Sequence, residues 1–289
     1  MSESVIADFV AAFNSEASAR AEPAKGRILL SEKRLVLAGD EGKVTVPLSS
    51  IFDISVGQVP DDLGDFFSST VTVAFERNGD RMVAAVEADD DKIEKFTTVL
   101  FKTVLNGTDV TVKHPASVGG RVTDAPFAPA KLYLKPGSVR FKRSDDTVDI
   151  DLSTVSEFNR VAREIDGTEQ PVLAVRHLDD GQASLSLAAM DSPREMSILG
   201  RYLRMEYSEL ISDLEDVTLS EEQVELLVAI YSTGPSVSLA NVLDVETSQL
   251  TMVLNDLRSD ELVVDAGDGP KLTPKGRVVV SKHLEDVNA

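Results

Sequence analysis

Residues 27–54, RILLSEKRLVLAGDEGKVTVPLSSIFDI, return without a gap as residues 131–158, KLYLKPGSVRFKRSDDTVDIDLSTVSEF, a shift of 131 − 27 = 104 positions. Leu30 falls on Leu134, Leu35 on Val139 and Leu37 on Phe141; Val44, Val46 and Leu48 fall on Val148, Ile150 and Leu152, and Ser49 on Ser153. Few residues are identical, but the apolar alternation is kept, and alternation decides which face of a strand is buried. A duplication of this kind sets the reading of the whole chain. The first two thirds read as two copies of one small β domain.

Working outward, the second half of each copy follows the same plan. Val71, Val73 and Phe75 alternate with polar residues, Asn78–Gly79 turns the chain, and Val83 and Ala85 resume; Asn-Gly between alternating runs is a strong hairpin signal. Asp89–Asp91 then open a helix with Ile93, Phe96, Leu100, Phe101 and Val104 on one face. In the second copy Pro136–Gly137 makes the first turn, and Val172–His177 and Leu185–Leu187 flank Asp179–Asp180–Gly181. Ser192-Pro193-Arg194-Glu195 caps a helix striped by Met196, Leu199, Leu203, Tyr207, Leu210 and Leu214. Near-heptad spacing in that stripe leaves a helix-mediated homodimer open beside packing on its own domain. Antiparallel strands closed by one amphipathic helix have the element order of pleckstrin-homology-like (PH-like) domains.

At the N-terminus, Val5, Phe9 and Phe13 recur every four residues and predict a short helix. Gly119–Gly120 and Pro126–Pro129 read as a linker between the copies, and Val110–Lys113 could belong to either sheet. From Thr218 the texture changes. Ser220 with Gln223 forms a capping box, Gly234–Pro235 stops the helix, and a short helix spans Leu239–Leu243. Asp244 is read as the cap of a third helix that buries Leu250, Val253, Leu254 and Leu257. A hairpin around the turn Ala266–Gly269 and a last helix from Thr273–Pro274 complete the order of a winged helix-turn-helix, with the L-T-P-K-G-R phrase after the wing. The expected architecture is α+β: an N-terminal helix and lead-in (1–22), a PH-like β-barrel/helix domain (23–107), a linker with a second such domain (108–214), and a winged-helix domain (215–289).

The composition narrows the function. Lys and Arg number 29 against 49 Asp and Glu, a formal charge of −20, which repels nucleic acid and acidic membranes unless a basic patch intervenes. The spread of carboxylates suits a protein kept soluble in concentrated salt, where screening shortens self-repulsion. With no Cys, disulfides and thiolate metal sites are excluded. The first 23 residues lack the basic and apolar regions of a signal peptide, and no apolar run approaches a membrane span; a cytoplasmic protein without membrane insertion is expected. No nucleotide-binding glycine loop, nucleophile elbow or H-E-x-x-H is present. His114, His177 and His283 lie in three segments with no spacing that gathers them, and the aspartate clusters lack a calcium-loop pattern. Neither an enzyme, a metal nor a cofactor is expected.

The third helix of the C-terminal part would read DNA in a transcription factor. By helical spacing its outward positions are Gln249, Met252 and Asp256, where DNA readers offer Arg, Lys and Asn. Residues 218–289 carry five Lys and Arg against twelve Asp and Glu, a balance that favours a protein-facing surface. Packing of Met252 against the repeats is the alternative reading.

The phrase K-G-R-I-L-L-S-x-K-R-L-V-L-A (Lys25–Ala38), continued by V-P-L-S-S-I-F-D-I (Val46–Ile54) ahead of the helical segment, resembles the archaeal taxis protein CheF family, and the acidity is similar to its haloarchaeal members. The resemblance implies an adaptor that binds the response regulator CheY, preferably phosphorylated, together with CheD and proteins of the archaellum motor switch. It carries no catalytic motif and assigns no binding residue. A winged-helix transcriptional regulator with a sensory N-terminal half is the competing reading.

Overall fold

The computed structural model describes residues 3–18, 21–179, 182–212, 218–233, 239–266 and 269–288. The turns predicted at Asp180–Gly181 and Gly234–Pro235, the centre of the Ala266–Gly269 turn, and Leu214 lie outside them. The chain divides into two compact units. The first comprises Met1–Thr108, Leu132–Leu134 and Asp191–Tyr202; the second comprises Asp109–Lys131, Lys135–Met190 and Leu203–Ala289.

The first sheet has seven antiparallel strands: β1 (Val5–Ser15), β2 (Ala24–Ser31), β3 (Arg34–Gly39), β4 (Gly42–Pro47), β5 (Ile51–Val56), β6 (Ser69–Arg77) and β7 (Asp80–Ala88), laid out as β4-β3-β2-β1-β7-β6-β5. The helix α1 (Asp90–Leu105) follows, with the Asp89 side chain accepting from Lys92 N at its start. The second sheet contains β8 (Asp109–Val118), β9 (Arg121–Val122), β10 (Ala128–Lys135), β11 (Ser138–Lys142), β12 (Thr147–Asp151), β13 (Val155–Ile165), β14 (Thr168–Asp179) and β15 (Gln182–Met190). Its order is β12-β11-β10-β8-β15-β14-β13, with β9 paired to β8 off the path. With β8 in the place of β1, the two orders are the same permutation. A helix, α2 (Pro193–Ser212), again comes next.

The 104-residue shift is physical as well as textual. Leu37 pairs with Val44 and Leu35 with Val46 in the first sheet; Phe141 pairs with Val148 and Val139 with Ile150 in the second. All eight are buried, each contributing about 1.5–3 kcal/mol relative to exposure. A single 3₁₀ turn follows each hairpin, Leu48–Ser50 and Leu152–Thr154. The Leu48 amide donates to Lys33 O at 2.9 Å, and the Leu152 amide to Gly137 O at 2.8 Å. Alternation fixed the buried face, and the same turn chemistry fixed the register twice.

Three expectations about the sheets fail for identifiable reasons. The N-terminal helix is strand β1: a recurrence every four residues satisfies period two as well as 3.6, and the ladder of β1 with β2 decides for the strand. Phe9, Ala11 and Phe13 lie on one face, and the Phe9 ring meets Phe96 of α1 edge-on at 5.0 Å. β1 thus lies inside the first sheet, between β2 and β7. Neither sheet closes into a barrel: β4 and β5 end the first path and β12 and β13 the second, with no ladder joining them among the described residues. Gly119–Gly120 is no linker but the tight turn of the β8–β9 hairpin, with φ of +54° and +76°, a conformation that suits glycine. β8, which holds the ambiguous Val110–Lys113, belongs to the second sheet, and β10 begins inside Pro126–Pro129.

The C-terminal part of the second unit follows the expected order: α3 (Glu221–Thr233), α4 (Leu239–Leu243), α5 (Thr247–Ser259), the hairpin β16 (Val263–Ala266) and β17 (Gly269–Leu272), and α6 (Pro274–Asn288). The Ser220 box is reciprocal, with Ser220 N donating to Gln223 Oε1 at 2.8 Å and Gln223 N to Ser220 Oγ at 3.2 Å. Asp244 does not cap α5. It sits at φ +53°, and Glu246 occupies the cap without a side-chain bond. Leu226, Leu227, Val253, Leu257, Leu262, Val263, Leu272 and Val280 form the core of this part. α6 also reaches the second sheet's 3₁₀ turn: Arg277 pairs with Asp151, and Ser281 Oγ donates to Ser153 O at 3.4 Å. On α2, Met196, Leu199 and Leu203 are buried in this single chain, so those positions offer no dimer seam.

Candidate interaction surface

α5 places the predicted residues by its period. Val253 and Leu257 point into the core and Leu250 and Leu254 flank it, which turns Met252 and Asp256 outward. Met252 is 60 % exposed; packing against the repeats does not hold for it. Asp256 is exposed as well. Gln249 is half-buried. Its amide donates to the Glu222 carboxylate of α3, at 3.3 and 3.4 Å to the two oxygens, and it lines a crevice of about 40 Å³ with Leu226, Leu243, Leu250 and Val253. Arg258, at the end of α5, is occupied: its guanidinium donates to Asp265 at 2.7 and 3.2 Å and to Asn255 at 2.8 Å. The fold thus assembles Gln249, Met252 and Asp256 on one face, with Glu222 joined to it and no free cation from α5 itself.

A second surface escaped the sequence reading. β7 pairs with β1 only from Ala12 to Ser15, whereas β2 runs along β1 from Val5 to Phe13. Among the described residues, Val5–Ala11 therefore has β2 on one side and no paired strand on the other. Val5, Ile6 and Val10 on this segment are 57 %, 43 % and 54 % exposed. Its charge is Asp8, held by the Arg27 guanidinium at 2.6 and 2.7 Å. An unpaired apolar edge can accept a partner strand; reading Val5–Phe13 as a helix concealed it.

The histidines are gathered where sequence spacing gave no sign of it. His114 of β8 and His177 of β14 both bond Ser186 Oγ of β15, at 2.8 and 2.9 Å. These three strands are neighbours in the sheet. Burial pushes both imidazoles below the usual histidine value; Asp179 works against this for each, while Arg143 adds to it at His114 and the neighbouring His114 adds to it at His177. His283 is exposed and stands apart from that cluster in sequence. Among the described residues no three His, Asp or Glu side chains converge as a metal site.

The larger hollows are mixed in character. Two, of about 640 and 680 Å³, share His177, Leu178, Gln182 and Leu284 in the second unit, and Arg277 in the first of them is committed to Asp151. One of about 490 Å³ in the first unit holds a single carboxylate, Asp53, which accepts from Arg201 at 3.0 and 3.1 Å. No helix among the described residues is long and apolar enough to cross a membrane.

Comparison with known proteins agrees with the resemblance carried by Lys25–Ala38 and Val46–Ile54. The chain is 48 % identical over 288 residues to Taxis protein CheF2 of Halobacterium salinarum, covering 100 % of both chains. It is 29 % identical over 273 residues to Taxis protein CheF1 of the same organism, covering 92 % of this chain and 90 % of that one. The model of the archaeal chemotaxis signal transduction system protein F matches residues 5–209, which takes in both sheets, and the chain belongs to that family.

Proposed function

We propose that this chain is a cytoplasmic, non-enzymatic taxis adaptor. It binds the response regulator CheY, preferably phosphorylated, and links it, with CheD, to the motor switch proteins of the archaellum. Family membership supports the taxis assignment. The observation that carries the adaptor reading is the outward face of α5, where exposed Met252 stands between Gln249 and Asp256 on a helix whose terminal Arg258 is already paired. The repeated strand order supports reading the sheets as PH-like modules, and the order of α3 to α6 supports a winged helix turned to protein recognition. Phosphorylation need not alter this chain, because a difference in affinity for the two forms of CheY is enough to shift the assembly.

Capture of CheY by the full chain tests the proposal. Tighter capture of the phosphorylated form is expected; equal or absent capture of both forms overturns it. A gel shift run across salt concentrations addresses the DNA-binding alternative, since a specific complex weakening steeply with salt would favour it.

A further inference from the structure

Between Arg204 and Arg258 the sequence contains no Lys or Arg and eleven Asp and Glu. That interval includes α3, α4 and most of α5. The charges within that interval are therefore all negative. On α5, Met252 and Asp256 are one turn apart on the same face, and Gln249, one turn earlier, ties Glu222 to it. The face thus runs from a carboxylate, over a thioether 60 % exposed, to a second carboxylate. On α4, Val242 is 47 % exposed.

We infer that this face docks a basic, amphipathic segment of a partner protein, its cationic side chains meeting Glu222 and Asp256 and an apolar side chain covering Met252. The inference rests on reading α5 as the binding surface and adds the chemistry of what it binds. An acidic segment is excluded by like-charge repulsion, which is costly at a contact. A purely apolar segment would leave Glu222 and Asp256 partly desolvated without partners. Methionine at the centre suits recognition of varied apolar side chains, since its thioether is polarizable and its three torsions adapt. At molar salt the Debye length falls to about 3 Å, so long-range steering is lost while contact pairs and apolar burial remain. Met252 should then set the affinity and the carboxylates the choice of partner.

The experiment uses the full chain and two labelled 18-residue amphipathic helices of stated composition, one of Leu and Lys and one of Leu and Glu, titrated by fluorescence anisotropy. The Leu/Lys peptide is expected to bind and the Leu/Glu peptide not. Met252→Ser should weaken the Leu/Lys complex about tenfold, a loss of about 1.4 kcal/mol, and Glu222→Gln with Asp256→Asn should weaken it severalfold. Glu76→Gln, an exposed acid on β6, should leave it unchanged and reports general charge attraction. Equal binding of both peptides, or indifference to Met252→Ser and to the double variant, overturns the inference. Capture of CheY by Met252→Ser separates the two claims. If capture is lost while both peptides ignore the substitution, α5 remains the surface and the partner chemistry is wrong. If the peptides respond and capture does not, the docking chemistry stands and the assignment of CheY to this face fails.

Discussion

His114 and His177 stack on one another with ring centroids 5.8 Å apart and planes 17° from parallel, and one hydroxyl, Ser186 Oγ, bonds both. A hydroxyl has a single proton. Two neutral rings satisfy it, one donating to Oγ and one accepting from it. Two protonated rings would both aim N–H at the same oxygen and place like charges side by side.

This gives stability a defined acid limb. Both folded-state values lie below the ordinary histidine value of about 6.5, chiefly through burial. The unfolded chain therefore binds protons first, so the contribution is fully present above about pH 6.5 and is lost as pH falls towards the folded values. Melting temperature should hold steady from about pH 8 to 7 and drop below about 6.5. The double variant His114→Asn, His177→Gln should remove that drop. Asp8 and Asp89, held below the usual carboxylate range by Arg27 and Lys92, titrate at lower pH and do not confuse the window. An unchanged acid limb in the double variant would rule the pair out as its source.

The α5 assignment separates surface from core by stability alone. Met252→Glu should change unfolding free energy by no more than about 0.5 kcal/mol, because that side chain is exposed and stands outside the packed cluster. Leu257→Ala, fully buried on the opposite face, should cost about 2–5 kcal/mol. Denaturant titration monitored by circular dichroism distinguishes them; a large loss from Met252→Glu would place that side chain in the core.

The duplication predicts paired effects. Leu37 and Phe141 occupy the same position in the two sheets, and both are buried. Leu37→Ala should cost about 2–5 kcal/mol and Phe141→Ala about 3–5 kcal/mol. In each case cavity formation opposite the partner valine, Val44 or Val148, is the cause. If either substitution is silent in thermal unfolding, the register equivalence does not extend to energetics.

What could be read from the chain depended on whether the signal was local. Val44 opposite Leu37 and Val148 opposite Phe141 were legible because alternation, turn residues and spacing all lie within a few residues. The same holds for Met252 and Asp256, which a period of 3.6 turns outward once Val253 and Leu257 face the core. The N-terminal strand was lost because Val5, Phe9 and Phe13 fit both periods, and only pairing with β2, up to 26 residues distant (Val5 to Ser31), removes the ambiguity. The His114–Ser186–His177 cluster needs β15 between β8 and β14, a long-range adjacency that no window of sequence contains. Open sheets in place of barrels have the same origin, since closure depends on whether the first and last strands of a path meet.

Gly276, in the L-T-P-K-G-R phrase, gives a prediction whose sign is contested by two effects. It lies in the first turn of α6, where helix propensity alone favours Ala over Gly by about 1 kcal/mol. A methyl group there, however, would run into the backbone carbonyl of Leu262. That carbonyl is held in place because it accepts from Thr273 N at 3.0 Å, and Leu262 itself is fully buried. Backbone cannot yield as a flexible side chain can, and overpacking of this kind typically costs about 1–3 kcal/mol. The clash outweighs the gain in helix propensity, so Gly276→Ala should lower the melting temperature, while Lys275→Ala one position earlier should alter it little. A Gly276→Ala protein that melts higher than the parent would show that α6 stands off from Leu262.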